Sequence, residues 1–246
     1  MSNGVWRDGR VVAAAVLAVG LVGAAAVAGS AARAFVDSRA TISVTGSARQ
    51  AIRADRAIWR GSYNAQSARI EDAYAGVESA RSTVLAYLRS HGFPDSAVTV
   101  SPIQTQPLFA RSPSGIPTEQ VEGYRLMQTI EVRSSDVYRV DAIARSSTEL
   151  LRQGVRFESM PPEFLVTRLA ELKKEMLAAA TRDAKERAIQ MAQNAGSRIG
   201  RLRAARQGVF QVTRAASTEV SDYGVNDTSS IDKDITAVVS VSFEIR

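Results

Sequence analysis

The amino-acid sequence predicts an α+β fold: a largely antiparallel sheet with helices packed on one face, preceded by one N-terminal transmembrane or signal helix. Three observations carry this. Apolar residues recur at a period of two in some stretches and at a helical period in others, without strict alternation of strand and helix. No Gly-rich turn leads from a strand into a helix, as a doubly wound nucleotide-binding sheet requires. Residues 11–32 form an uncharged run entered through Arg7 and Arg10.

That run is long enough, at about 1.5 Å per helical residue, to match a bilayer core about 30 Å thick. Arg7 and Arg10 outweigh Asp8, so the positive-inside bias keeps the start cytoplasmic and sends the remainder across an inner membrane into the periplasm. Residues 1–34 are therefore expected to be a signal anchor and residues 35–246 the exported domain. Ala32-Arg33-Ala34 also has the small-x-small form of a cleavage site, which would release the domain into the periplasm. The sequence has no Cys, so an exported fold must be held by core packing alone, and thiol catalysis and thiolate metal sites are excluded. The formal charge is +6, with both signs interspersed and no basic tract interleaved with aromatics. Anionic envelope surfaces are better counterparts for it than nucleic acid.

Two strands are expected to open the domain, one from Ile42 and Val44 to Gly46 and one over residues 52–65, where Trp59 and Tyr63 share a face with Ala57. Residues 68–91 predict a helix with Ile70, Tyr74, Val77, Val84, Leu85 and Leu88 on its buried side, ended by Gly92 and Pro94. Residues 98–103 predict a strand. The Pro- and Ser-rich residues 106–120 predict an exposed loop. A strand follows with Tyr124, Leu126, Ile130 and Val132 facing one way. Ser135 is the expected N-cap of a helix lined by Val137, Val140, Ala144, Ser147 and Leu151 and closed by Gly154.

After a short strand at 155–158, Pro161 and Pro162 keep the chain extended and out of a central strand position. Thr167 is expected to cap a long helix reaching Asn194, whose buried stripe runs Leu169, Leu172, Met176, Ala180, Ala184, Ala188, Met191 and Ala195. Its Ala-rich second half allows close packing. Gly196 and Gly200 end it, and a strand through Val209, Phe210 and Val212 comes next. Residues 213–230 are polar and turn-rich, and Ile235, Ala237, Val239, Val241, Phe243 and Ile245 alternate through a last strand.

Candidate chemistry is sparse. Asp232 and Asp234, with Asp222, Asn226 and Asp227, form the densest set of oxygen ligands, but their spacing departs from an EF-hand loop and fits turn-forming residues. Ser230-Ile231-Asp232-Lys233 satisfies Ser-x-x-Lys, yet it lies in a polar loop where the hydrolase motif opens a buried helix. Asn226-Asp227-Thr228 fits a glycosylation sequon. The single His, His91, sits where a helix dipole favours it. The run from Arg182 to Arg187 has ordinary i, i+4 pairing, and Trp59 and Tyr63 fit core positions. No nucleophile elbow, phosphate loop or zinc-protease motif is present. The residues therefore assign no catalytic, cofactor-binding or metal site, no cofactor, and no enzymatic activity.

Several ordered blocks nevertheless resemble one family. Ile42-Ser43-Val44-Thr45-Gly46 with Ala54-Asp55-Arg56-Ala57-Ile58-Trp59 is similar to the first two strands of bacterial SIMPL-domain proteins of the membrane-anchored periplasmic subgroup. Residues 88–94, Gly123-Tyr124, residues 134–137, 164–176 and 183–200, Gln207-Gly208-Val209-Phe210 and residues 221–229 continue the likeness, which spans 41–246. The resemblance implies an exported α+β envelope protein, with relatives linked to stress defence or assembled into large rings, and supplies no catalytic residues to carry over. The expectation is a non-enzymatic, self-associating scaffold or binding module, held at the inner membrane by its N-terminal helix and without a nucleic-acid partner. An envelope hydrolase or ligand-binding enzyme, or a ring-forming solute channel, are the alternatives.

Overall fold

The computed structural model describes residues 40–246, together with residues 20, 21, 24, 25 and 27–29, which are helical. The expected anchor lies mostly outside the described residues, and no described helix is long and apolar enough to cross a membrane. The fold is α+β. It holds two mostly antiparallel sheets where one was expected, and two compact units: one takes in residues up to 48, 177–208 and 237–246, the other residues 49–176 and 209–236.

The second unit is built on six strands: β2 (Arg56–Ser67), β3 (Val98–Val100), β4 (Gln104–Arg111), β5 (Pro117–Ser134), β6 (Arg156–Ser159) and β7 (Glu163–Leu165). Strands β2 and β5 pair antiparallel along nearly the whole of β2, from Ala57 opposite Ser134 to Ser67 opposite Tyr124. Because side chains alternate across a strand, this register puts Ala57, Trp59 and Tyr63 beside Val132, Ile130, Gln128 and Leu126 on one face. Helices α1 (Ile70–Ser90) and α2 (Val137–Ser146) pack on these two strands. The other face is polar: Arg60 donates to Glu131 and Glu163 at 2.7 Å each, and Arg133 adds a second bond to Glu131.

Several local expectations need correction. The opening strands do not pair with each other, because β1 (Thr41–Arg53) pairs with β11 (Asp232–Ile245) while β2 joins β5, with the break at Ala54-Asp55. Helix α1 buries Ala73, Val77, Ala80, Val84, Tyr87 and Leu88, so small alanines define its inner face and Ile70 and Tyr74 stay exposed. Residues 106–120 are not a loop: β4 and β5 form a long hairpin with the turn at residues 112–116. Their prolines sit where a strand tolerates them, Pro107 in a strand that pairs on one side only among the described residues and Pro117 at a strand start.

Asp136, not Ser135, caps α2, its carboxylate accepting from the Arg139 N–H at 3.0 Å. A break at Ser147 starts a short helix α3 (Glu149–Arg152), which buries Leu150 and exposes Leu151. Gly154 then turns with φ +81°. Pro161 and Pro162 fall between β6 and β7, both of which pair along one edge of β2. Thr167 does not cap the long helix α4 (Leu169–Asn194): its hydroxyl donates to Asp55 at 2.8 Å, and the Arg168 carbonyl takes the first helical bond, from the Leu172 N–H.

Burial on α4 follows Leu172, Met176, Ala180, Ala184, Ala188 and Ala192, with Met191 and Ala195 exposed. In the first unit Gly46 of β1 meets this Ala face: a Cβ there would overlap the backbone of Ala180 and Ala184. β8 (Ile199–Gln207) is a strand without a sequence signal, exposed along most of its length and lacking apolar alternation. It pairs antiparallel with β11, while Ser43 and Thr45 of β1 meet Ser242 and Ser240 of β11 at 2.6 and 3.1 Å. In the second unit the start of β11 pairs with β9 (Gln211–Arg214), shorter than the strand expected from Val209, and β9 carries the parallel β10 (Val225–Asn226).

Tyr63 gives the core its most demanding polar group. Its hydroxyl donates to Gln128 Oε1 at 2.8 Å, and Gln128 Nε2 donates onward to the Ser101 carbonyl at 2.7 Å. Burial pushes the hydroxyl up to about 12. A raised value means that this contribution is complete below the ordinary tyrosine range and is lost as pH climbs through 12. In an alkaline absorbance titration, a tyrosine step is expected near pH 12. Tyr63→Phe should remove that late step and cost about 1–2 kcal/mol in denaturant unfolding, since Gln128 loses a buried donor.

Candidate functional site

Of the residues singled out for chemistry, Asp227, Ser230 and Lys233 converge in one place in the second unit. Pairing of β10 with β9 sets Asn226 opposite Val212, and the Asp227 N–H donates to the Val212 carbonyl at 2.8 Å. This aims the Asp227 side chain into the turn that follows. Its Oδ1 accepts from the Ser229 N–H at 3.0 Å and the Ser229 hydroxyl at 2.6 Å. Its Oδ2 accepts from the Ser230 N–H at 3.2 Å and from the Ser230 hydroxyl. Lys233 reaches back from β11, donating to that same Oδ2 at 3.0 Å and to the Asp227 carbonyl at 2.6 Å.

Lys233 is only 1 % exposed, so its charge must be met inside the protein. Burial pushes the Asp227 carboxyl upward, but the hydroxyls of Ser229 and Ser230, the Ser229 N–H and Lys233 outweigh it and hold it far below the usual carboxylate range. The pair lines a cavity of about 250 Å³ whose other walls include Phe164, Leu169 and Val212. The same turn ties down its surroundings: Phe164 N–H donates to the Thr228 carbonyl and Ala54 N–H to the Ile231 carbonyl.

Ser-x-x-Lys is therefore brought together in space, but around a carboxylate. A hydrolytic Ser-Lys pair needs the amine to take the serine proton. Here the Ser230 hydroxyl and Lys233 both donate to Asp227, whose depressed basicity suits it to hold the turn closed and not to remove a proton.

The other acidic groups are met separately. Asp232 accepts from Arg53 at 2.7 Å, and Asp234 accepts from Arg49 at 2.6 Å and from the Ala216 N–H at 2.8 Å. Ala216 has φ +59°, so Asp234 holds a turn that only the surrounding structure keeps in place. Asp222 is exposed, and among the described residues no three His, Cys, Asp or Glu groups are placed to hold a metal ion. Asn226 is exposed on β10 while Asp227 and Thr228 of its sequon are engaged in the turn.

His91 ends α1: its Nδ1 lies 2.8 Å from the Tyr87 carbonyl and its ring lies tilted against that of Tyr87, centroids 4.2 Å apart. Asp183 pairs with Arg187 at 2.9 Å and also accepts from the Ser47 N–H, the main reason its carboxyl lies below the usual range. Trp59 is fully buried beside Phe157 and donates to Ser159 at 3.0 Å.

Two surfaces were not singled out from the sequence. The distal part of the β4–β5 hairpin exposes Phe109, Ile116 and Val121, and among the described residues β4 pairs on one side only. In the first unit Arg203 and Arg246 pair with Glu244, the Arg201 N–H turns to the same carboxylate, and Arg198 exchanges backbone bonds with Arg246. The first was hidden by prolines that read as loop, the second by a strand without apolar periodicity.

The SIMPL model, described as "Protein of unknown function (DUF541)", matches residues 42–243. The chain belongs to the SIMPL family. Comparison of this SIMPL chain with curated proteins returns no match. The matched span reaches every strand of both sheets, stopping one residue inside the start of β1 and two residues short of the end of β11.

Proposed function

We propose that this SIMPL protein is a non-enzymatic scaffold or binding module that works outside the cytoplasm, held at the inner membrane by residues 11–32, and that it self-associates through the β4–β5 hairpin. The observation that carries the reading is the hairpin itself. Among the described residues its outer edge has no strand partner, next to Phe109 and Val121, which sit opposite each other in the ladder and are 47 % and 43 % exposed. An edge of that kind is a template for strand addition, and a second copy of the same hairpin matches it in length and polarity. The lack of free general-base geometry at Ser230 and Lys233 favours binding over hydrolysis.

Crosslinking in intact cells, followed by native mass determination, tests self-association. Oligomers are expected, and Phe109→Lys combined with Val121→Lys should shift them towards monomer without lowering the melting temperature, because neither side chain is in the core. A monomeric parent, or an oligomer indifferent to both substitutions, would refute the hairpin as the contact. A reporter fused after Arg246 tests the topology, since activity restricted to the cytosol would exclude export.

A further inference from the structure

Where the domain begins and where it ends are the same place. The Ala40 carbonyl accepts from the Ile245 N–H at 3.0 Å, and Arg246 and Arg198 exchange backbone bonds at 2.7 and 2.8 Å. Arg201 lies just beyond on β8, its N–H turned to Glu244. Four arginines thus share this end of the first unit with one carboxylate. Glu244 is taken by Arg203 at 2.6 Å and, loosely, by Arg246 at 3.4 Å. Arg198 and Arg201 are exposed, and their guanidinium groups have no partner among the described residues.

Only residues 33–39, which include Arg33 and Arg39, separate this end from the apolar run. The eight peptide units between Ala32 and Ala40 span at most about 28 Å fully extended. A tether that short confines the basic end near the lipid surface, where each arginine gains from an anionic headgroup within the screening length of about 8 Å.

We propose that the end of the first unit that carries Arg198, Arg201 and Arg246 docks on anionic phospholipid headgroups, seating the domain on the membrane it is tethered to. This rests on the anchor reading above. The occupant is chosen by charge and by reach: a guanidinium cluster matched to phosphate oxygens, at the one point of the domain that the tether brings to the bilayer. No covalent step is involved.

The test uses the full chain. It has no Cys, so Ser197→Cys gives a single fluorophore site beside Arg198. Flotation with vesicles of phosphatidylcholine alone, and of phosphatidylcholine with phosphatidylglycerol, reports anchoring. Quenching by a headgroup-nitroxide lipid in nanodiscs of the same two compositions reports docking. We expect flotation with both compositions, but strong quenching only with phosphatidylglycerol.

Arg198→Glu, Arg201→Glu and Arg246→Glu together should reduce the docked-to-undocked ratio roughly a hundredfold, from about fivefold per arginine. The milder Arg198→Gln with Arg201→Gln, and added salt on the parent chain, should each reduce it in the same direction. Equal quenching in the two compositions, or quenching indifferent to these changes, overturns docking while leaving the anchor intact. Flotation only with phosphatidylglycerol, lost in the triple variant, overturns the anchor and supports docking. Flotation with neither composition, or a phosphatidylglycerol effect that traces to a second copy seated on these arginines, overturns the proposal.

Discussion

Lys233→Ala is expected to cost about 3–5 kcal/mol of unfolding free energy, because it empties a fully buried position and leaves the mostly covered Asp227 carboxylate without its cation. The loss should exceed that of Lys233→Met with Asp227→Asn, which removes both charges and keeps most of the volume. Urea unfolding of the three proteins distinguishes the cases. A single-variant loss of under about 1 kcal/mol, the range of an exposed pair, would mean that the latch contributes little.

The pH dependence has a definite sign. Asp227 is held below its ordinary value in the folded chain, so its contribution is fully present above the usual carboxylate range and disappears as pH falls through the depressed value. Acid unfolding of the parent should therefore begin below the unperturbed aspartate range. Lys233→Ala should shrink that acid limb in part, since the hydroxyls of Ser229 and Ser230 remain. An unchanged acid limb in both Lys233→Ala and Ser230→Ala would place the sensitivity elsewhere.

Gly46→Val is expected to have the second large effect, a loss of about 3 kcal/mol or more. The atoms in the way of a side chain are the Ala184 N and the Ala180 carbonyl oxygen, parts of a helix backbone that cannot turn aside, together with the Ala184 Cβ. Gly46→Ala should already be costly, and Ala184→Gly should fail to rescue it because two of the three obstructing atoms stay. Thermal unfolding reads both. A Gly46→Ala protein that melts with the parent would refute the close approach of strand and helix.

The class of the fold was legible because its longest elements follow their own periods. Ile235 to Phe243 alternate as the buried face of β11 does, and Leu172, Met176, Ala180, Ala184 and Ala188 keep the helical spacing of α4. Where burial is made by alanine, as at Ala73 and Ala80 of α1, larger neighbours such as Tyr74 misdirect a reading that weighs residues by hydrophobicity. Division into two sheets could not be read, since partner choice between β1, β2, β5 and β11 depends on residues far apart in sequence.

The candidate site was legible only as separate parts. Asp227 and Lys233 were each visible, but their meeting depends on β10 pairing parallel with β9, a two-residue strand with no signature of its own. Of the caps, Asp136 and Ser135 are both good N-cap types next to one another, and the geometry of the Arg139 N–H decides between them.

The ladder between Ser43 and Ser242 joins segments 199 positions apart, and this bears on how the molecule is made. A ribosome releases Ile42 and Val44 long before Val241 and Phe243 exist, so a sticky, half-finished ribbon has to wait for the final few amino acids. Any stop codon that clips those last amino acids would strand the first ribbon permanently, giving a product prone to clump and be degraded even though the six-stranded body is encoded in full.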